Sequence, residues 1–221
     1  MCCWRARDLL RLQMGRNGRD VRNLASEDLE DTEDSEDTED PEDTEVTMES
    51  EELMDIMRSR RSIRAFHPDP LTQDQIDTLI EALLSAPSAG NLQSRQFFFV
   101  TNKELQRELV RAALGQDFIA EAPLVVVACT DARIQRRYGS RGTSLYSFMD
   151  VAASVQNAML VAQAMGLGTC WVGAFNEEPV HALLKLPPNL RPVTMFPVGR
   201  PAERPRAPHR VSRTAAVSFV E

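Results

Sequence analysis

The sequence lacks the features that would assign it to several common classes of protein. No run approaches the eighteen or so apolar residues that a membrane-spanning helix needs, and residues 1–5 lack the apolar stretch of a secretory signal. The three histidines and four cysteines show no spacing typical of a zinc site. We therefore expect a cytoplasmic protein with no metal site and no disulfide, in which Cys129 and Cys170 pack as small apolar residues.

Basic residues are absent from one long segment. Residues 27–52 contain sixteen Asp or Glu and no Lys or Arg, whereas residues 1–22 carry six Arg. Dense like charge with little apolar surface to bury predicts disorder, so we assign residues 1–52 to a disordered Arg-rich head and acidic tail. Such a tail either contacts a basic partner or keeps the chain solvated.

The net charge of −8 therefore misrepresents the rest of the chain. Residues 53–221 hold nineteen basic and fifteen acidic residues. This mildly basic balance suits a protein that binds anionic cofactors, and it lacks the concentrated basic stripe of a nucleic-acid-binding protein. The length predicts a single domain over residues 53–221.

The hydrophobic pattern of that domain mixes helices and strands without regular alternation, which predicts the α+β class. Residues 53–57 have helical spacing, and Thr72 with Gln75 forms a capping-box pattern. Gly166 stands where a left-handed residue would end a long helix. Further helices are predicted near 76–84, 103–114, 147–165 and from Asn176, and strands near 97–100, 124–128, 169–172 and 192–198.

Four segments of the domain match motifs of one known family. They are Arg60-Arg61-Ser62-Ile63-Arg64-Ala65-Phe66, Ala86-Pro87-Ser88-Ala89-Gly90-Asn91-Leu92-Gln93, Gly166-Leu167-Gly168-Thr169-Cys170-Trp171-Val172-Gly173-Ala174-Phe175 and Pro197-Val198-Gly199-Arg200-Pro201. In this order they resemble the FMN-dependent nitroreductase family, from about Met54 to the C-terminus. The resemblance implies a sandwich with a central mixed sheet flanked by helices, assembled as a homodimer.

The resemblance also implies where the cofactor FMN binds. Arg60 and Ser62 lie at the phosphate, Arg64 lies at the pyrimidine edge, and the backbone N–H groups of residues 173–174 face flavin N5 and O4. The loop of residues 87–91 covers the flavin of the other subunit. The implied cofactor-binding residues are Arg60, Arg61, Ser62, Arg64, Pro87, Ser88, Ala89, Asn91, Gln116, Gly173, Ala174 and Arg210.

Elementary chemistry supports this arrangement. The planar fork of Arg suits a phosphate, and Arg60, Ser62 and Arg64 alternate in an extended stretch, so they can point the same way. A cation at Arg64 would stabilise negative charge on a reduced ring.

Two of the motifs and Gln116 also have a plainer interpretation. The arginines fit a solvated basic patch, residues 86–93 fit a helix cap followed by a turn, and Gln116 fits a surface glutamine. Arg206 is the alternative to Arg210. Many family members carry an acidic residue where this chain has Gly173.

No side chain is predicted to act as a catalyst. His67, His181 and His209 are isolated and form no recognisable triad with a serine. Residues 166–168 are not a dinucleotide fingerprint, because a helix precedes them and Trp171 occupies the sixth position of the motif. In the implied activity the flavin carries the chemistry.

The resemblance implies an enzyme, an FMN-dependent oxidoreductase with a ping-pong mechanism. NADH or NADPH reduces the flavin by hydride transfer and leaves before a nitroaromatic, a quinone or a similar electron-poor acceptor binds. The alternatives are a non-catalytic flavin-binding or regulatory protein, a reductive dehalogenase, an enzyme that fragments its own reduced flavin, and an acidic binder acting through residues 27–52. The family also exchanges C-terminal segments between subunits, and residues 215–220 have suitable strand character, as would a surface strand within one chain.

Overall fold

The computed structural model describes residues 49–220. The disorder predicted for the head and acidic tail falls mainly on residues 1–48 and so lies outside the described residues. Within residues 49–52, Ser50 begins a helix, and Glu51 and Glu52 place negative charge in its first turn, where the helix dipole favours it. Regular structure therefore begins three residues before the boundary drawn from the sequence.

Helices and short strands are interspersed along the described chain. In order they are α1 (Ser50–Ser59), α2 (Gln73–Leu84), β1 (Arg95–Val100), α3 (Lys103–Ala112), α4 (Phe118–Glu121), β2 (Leu124–Asp131), α5 (Gln135–Arg141), α6 (Ser147–Ala164), β3 (Gly168–Thr169), α7 (Glu177–Leu183), β4 (Leu190–Gly199) and α8 (Arg213–Ala216). A π-helical segment, Gly142–Tyr146, leads into α6. None of these described helices combines the length and the apolar character that a bilayer crossing requires.

The strands form one four-stranded sheet in the order β1-β2-β4-β3. Every neighbouring pair of these strands is antiparallel. The parallel component of the predicted mixed sheet is an isolated bridge between Ser62 and Thr169. Within residues 49–220, β1 pairs only with β2, which leaves one edge of the sheet open.

The sheet is covered by helices on both faces, which confirms the predicted sandwich. All eight residues of β2 are buried, and successive residues face opposite sides: Val126 belongs to the core under α2 and α6, and Val127 to the core under α3 and α7. A strand buried on both faces reads as a continuous apolar run, as this one does.

Two local signals in the sequence correspond to observed geometry. The Thr72 side chain accepts a hydrogen bond from the Gln75 N–H, and the Gln75 side chain accepts one from the Thr72 N–H, which completes the capping box of α2. Gly166 follows α6 with a φ of 72°. Both confirm that these helix ends are specified by local residues.

Other expectations were wrong or incomplete. The strand expected at residues 169–172 is reduced to β3 plus an isolated bridge from Val172 to Met195. The surface strand considered for residues 215–220 is not formed within one chain: α8 occupies residues 213–216, and Val217, Phe219 and Val220 are exposed. A strand needs a neighbour for its N–H and C=O groups, and in the described chain this segment has none.

Candidate functional site

The Arg60–Phe66 stretch runs beside β3 as an additional edge of the sheet. The Ile63 N–H donates a hydrogen bond of 2.9 Å to the carbonyl oxygen of Thr169. Ile63 is buried and packs so closely on Gly168 that a Cβ there would lie 2.8 Å from the Ile63 side chain. This contact holds the stretch extended, as the alternation of Arg60, Ser62 and Arg64 predicted.

The positive charge of a second guanidinium, that of Arg210, acts on Arg60. Burial lowers the pKa of Arg60, and the positive charges of Arg210 and then Arg61 lower it further. Within residues 49–220, neither Arg60 nor Arg210 forms an ion pair with a carboxylate. Two cations whose charges act on each other and that have no carboxylate partner form a suitable site for an anion. Arg210, and not Arg206, is the C-terminal arginine whose charge acts on Arg60.

Arg61 uses its guanidinium locally. It donates to the carbonyl oxygen of Arg58 and, at 2.8 Å, to that of Arg60. These carbonyls belong to the C-terminal end of α1, where the helix leaves its last acceptors without partners. Part of the Arg61 donor capacity therefore serves the helix end, and its predicted contact with a cofactor stays a prediction.

The buried Cys170 thiol is within reach of the charges of the arginine stretch. Burial raises the pKa of the Cys170 thiol, while Arg64, the Ser62 side chain and Arg60 act in the opposite direction. Burial also raises the pKa of Cys129 to about 12. Both thiols are free and buried, which confirms the expected packing; the remaining two cysteines lie outside the described residues.

Arg64 extends from the other end of the stretch toward α4. Its guanidinium carbon lies 6.0 Å from the centroid of the Phe118 ring, and its backbone N–H donates to the Glu203 carboxylate. The Arg64 side chain forms no ion pair with a carboxylate inside the described part of the chain. Its positive charge is therefore available beside Phe118.

Gln116, two residues before Phe118, contributes a neutral hydrogen-bonding side chain. The Gln116 side chain donates from Nε2 to the carbonyl oxygens of Ala113 and Ala174, at 2.9 and 3.0 Å. The backbone N–H groups of Gly173 and Ala174 donate to no other backbone group among residues 49–220. The structure thus brings the predicted residue Gln116 to the predicted 173–174 segment.

The predicted loop Pro87–Asn91 is held elsewhere in the same chain. The Ala89 N–H donates to Asp150 at 2.9 Å, and the Pro87 carbonyl accepts from Arg95 at 3.0 Å. The Ser88 hydroxyl accepts from the Gln93 N–H, and Asn91 has a φ of 55°. No hydrogen bond within residues 49–220 joins this loop to the Arg60–Arg64 stretch or to residues 173–174.

Reasoning from the sequence missed three residues around the site. Asp150 and Arg95 anchor the loop, and Glu203 accepts from the Arg64 backbone. The sequence did contain an indication of Asp150, because it is the single charged residue of α6. A charged residue in an otherwise uncharged helix suggests a buried charge, which needs a partner. Glu203 lies 139 positions from Arg64, and no local pattern indicates that contact.

Comparisons with known proteins identify the family of the chain. The nitroreductase family profile matches residues 57–116 and 110–200. A Bacillus subtilis FMN reductase (NAD(P)H) is 32% identical over 165 residues, which cover 66% of each chain. The oxygen-insensitive NADPH nitroreductase of Salmonella typhimurium is 33% identical over 152 residues, 65% of this chain and 63% of that one.

The solved structures place the fold in the same group. The Vibrio harveyi NADPH:FMN oxidoreductase complexed with NAD+ aligns with a TM-score of 0.71 and 28% identity, over 76% of this chain and 77% of that one. This chain spans about two thirds of the length of the two curated relatives. Because the family profile covers more than half of the chain, the protein belongs to the nitroreductase family.

Proposed function

We propose that the protein is an FMN-dependent oxidoreductase that uses NADH or NADPH to reduce nitroaromatics, quinones or similar electron-poor acceptors, and that it acts in the cytoplasm. The observation that carries the proposal is that the charge of Arg210 acts on Arg60 and that neither arginine has a carboxylate partner within residues 49–220. The names of the similar proteins, an FMN reductase and an NADPH nitroreductase, support the same activity.

The donors and acceptors of the chain fit the two ends of FMN. A phosphate monoester carries nearly two negative charges and accepts paired N–H donors, which Arg60 and Arg210 would supply with the Ser62 hydroxyl. The pyrimidine edge of a flavin has carbonyl oxygens and one N–H group. The backbone N–H groups of residues 173–174 would donate to a flavin carbonyl oxygen. The free Oε1 of Gln116 would accept from the flavin N–H group.

When bound, FMN would supply the ring that accepts a hydride and passes it on. The residues of the chain bind this ring, orient it and set its electrostatic surroundings. Arg64 would hold a positive charge near the pyrimidine edge, where negative charge develops on reduction. The peptide dipoles of residues 173–174 would also stabilise this negative charge. Because the flavin would carry the chemistry, the site needs no side-chain nucleophile or general base.

The proposed enzyme is a homodimer in which each subunit completes the site of the other. The Pro87–Asn91 loop is held by Asp150 and Arg95 and makes no hydrogen bond to the arginine stretch of its own chain. This separation supports the proposal that the loop covers the flavin bound to the partner subunit.

Exchange of C-terminal segments would complete the dimer. A groove of about 580 Å³ follows the open edge of β1 and is lined mainly by apolar side chains, among them Ile76, Ile80, Phe97, Phe99, Leu105 and Leu184. The exposed Val217, Phe219 and Val220 of a second copy offer matching apolar surface. Adding a strand to an open edge satisfies the backbone groups of both segments.

An absorbance spectrum of the purified protein with added FMN tests the proposed function. Protein-bound flavin bands that bleach on anaerobic addition of NADH or NADPH are the expected result, and the donor that bleaches them is the substrate. Bound flavin that neither donor reduces would indicate the non-catalytic flavin-binding alternative. Failure to retain FMN would overturn the proposal.

A further inference from the structure

We propose that Asp150 is a positioning residue that sets the conformation of the Pro87–Asn91 loop before any flavin binds. The inference rests on the proposed function, in which this loop covers a flavin. It assigns to a carboxylate inside α6 the task of holding a segment more than fifty positions earlier in the chain.

Both carboxylate oxygens of Asp150 are engaged in a site that is nearly inaccessible to solvent. Asp150 is only 4% exposed. Oδ1 accepts from the Ala89 N–H at 2.9 Å, and Oδ2 accepts from the Ser94 hydroxyl at 2.8 Å. Ala89 lies within the loop, and Ser94 is the residue just before β1. One carboxylate therefore links the loop to the start of β1.

The charge of Asp150 acts on Arg95, which is 9% exposed, although the two side chains form no direct ion pair. Burial lowers the pKa of Arg95, and the charge of Asp150 raises it. The Arg95 guanidinium donates to the carbonyl oxygens of Leu84, Ala86 and Pro87, at 3.1, 2.7 and 3.0 Å. Arg95 thus holds the backbone that enters the loop, while Asp150 holds the loop itself.

An aromatic ring also limits the conformation of the loop. Gly90 has a φ of 57°, and a Cβ on it would lie 2.4 Å from the Tyr138 hydroxyl. Asn91 also has a positive φ, of 55°. Glycine adopts this left-handed backbone freely, whereas at Asn91 it carries a cost that the surroundings must offset. Tyr138 leaves no room for a side chain at position 90, and Asp150 holds the neighbouring Ala89 N–H.

The anchored loop borders open space. A cavity of about 380 Å³ lies between the loop and α6 and has a largely apolar lining: Pro87, Ala89, Tyr146, Met149 and Ala153 with Ser88 and Asp150. A loop that only closed a turn would need no such anchoring. A loop that must meet a flat ring at a set position gains affinity when its conformation is fixed in advance.

Two substitutions of Asp150 separate positioning from structural support. Asp150→Ala and Asp150→Asn both leave Arg95 without a counter-charge, so both should lower the midpoint of thermal unfolding. Only Asp150→Asn keeps an oxygen that can accept from the Ala89 N–H. We expect the Kd for FMN to rise at least tenfold in Asp150→Ala and to recover most of the way in Asp150→Asn.

Val127→Ala is the matched control. Val127 is fully buried in the core on the other side of the sheet from α6, so its truncation lowers stability without contacting the loop. Its Kd for FMN should equal that of the wild type. An Asp150→Ala protein that binds FMN as tightly as wild type would overturn the inference, as would a loss of affinity in all three variants that follows their loss of stability.

Hydrogen exchange of the FMN-free wild type gives a test that needs no variant. The Ala89 amide should be protected although its loop is at the surface, and rapid exchange there would overturn the inference even if Asp150→Ala does not fold. The wild-type FMN titration keeps the two proposals apart. Failure of the wild type to bind FMN overturns the proposed function and this role with it, whereas unaltered binding by Asp150→Ala overturns this role alone.

Discussion

The side-chain amide of Gln116 donates a hydrogen bond of 3.0 Å to the carbonyl oxygen of Ala174. The same nitrogen donates to the carbonyl oxygen of Ala113 at 2.9 Å. A carbonyl oxygen can only accept, so these two partners fix the orientation of the amide and leave Oε1 as its free acceptor. Gln116 can therefore recognise a donor on a ligand and cannot recognise an acceptor.

This orientation predicts how the protein would respond to a flavin methylated at N3. We expect the wild type to bind 3-methyl-FMN roughly tenfold more weakly than FMN, because one net hydrogen bond is lost and the methyl group adds bulk. In Gln116→Ala the two ligands should bind equally. Fluorescence titration measures all four affinities, and equal binding of the two flavins by the wild type would contradict the assignment.

The arginine pair predicts which C-terminal arginine binds the phosphate. Arg60→Ala and Arg210→Ala should each weaken FMN binding about ten- to a hundredfold, since a charge-assisted hydrogen bond contributes about 1.5–3 kcal/mol. Arg206→Ala is the matched control, because it removes the same charge from the same segment. A loss of affinity in Arg206→Ala as large as in Arg210→Ala would show that the effect is general electrostatic attraction.

Neighbouring leucines in α2 predict opposite effects on stability. Leu83 is 1% exposed and Leu84 is 57% exposed. Leu83→Ala should lower the free energy of unfolding by about 2–5 kcal/mol through the cavity it leaves. Leu84→Ala should lower it by less than about 1 kcal/mol, and both changes have the same intrinsic helix propensity. Urea unfolding measures the difference, and similar losses would place Leu84 in a buried interface.

One surface ion pair predicts a dependence of stability on pH. Arg191 donates two hydrogen bonds of 2.7 Å to Glu177, and this bonding lowers the pKa of Glu177 below its ordinary value. A lowered carboxyl pKa adds stability at neutral pH and loses it as the pH falls through the folded-state pKa. The pair is partly exposed, so Glu177→Gln should cost at most about 1 kcal/mol at neutral pH.

The difference between wild type and Glu177→Gln should shrink as the pH falls below about 4.5. Chemical denaturation at a series of pH values measures it. Glu178→Gln serves as the control, because Glu178 has no ion-pair partner within the described residues. A stability difference between the two proteins that stayed constant from about pH 7 to about pH 3 would contradict the assignment.

The exposed C-terminal side chains predict the effect of one charge on assembly. Phe219 is 79% exposed in the single chain. Phe219→Asp should shift a dimer toward monomer in sedimentation, because it places a carboxylate where the proposed exchange buries a ring. Ser218→Asp adds the same charge one residue away and removes no apolar group, so it should dissociate the dimer less. Equal effects of the two changes would argue against burial of Phe219.

Local signals account for much of what could be predicted. Thr72 and Gln75 specify the start of α2, Gly166 specifies the end of α6, and the apolar run of β2 specifies a strand buried on both faces. Each of these depends on residues a few positions apart. The expectation that Arg60, Ser62 and Arg64 share a face has the same local origin, since alternation in an extended stretch decides which side chains lie together.

The contacts that complete the site join distant positions. Gln116 and Ala174 lie 58 positions apart, and Ala89 and Asp150 lie 61 apart. No pattern within a short window encodes such pairs, because they form only when the sheet and α6 bring separate segments together. The exposed segment after α8 failed as a predicted strand for a related reason, since a strand also requires a partner that the described chain lacks.

The sequence by itself determined the α+β class, the two-sided sandwich, the family and the segment that carries Arg60, Ser62 and Arg64. The class follows from periodicity and capping residues, whose deciding interactions are local. The sandwich and the family follow from the resemblance of short motifs to those of one known family. Only the tertiary structure decided that the charge of Arg210 acts on Arg60, that Gln116 keeps only its oxygen free, and that Asp150 holds the loop. Those outcomes depend on which polar groups from distant segments meet in the folded chain. A buried polar group needs a hydrogen-bond partner, but its own position in the sequence does not show which residue that partner is.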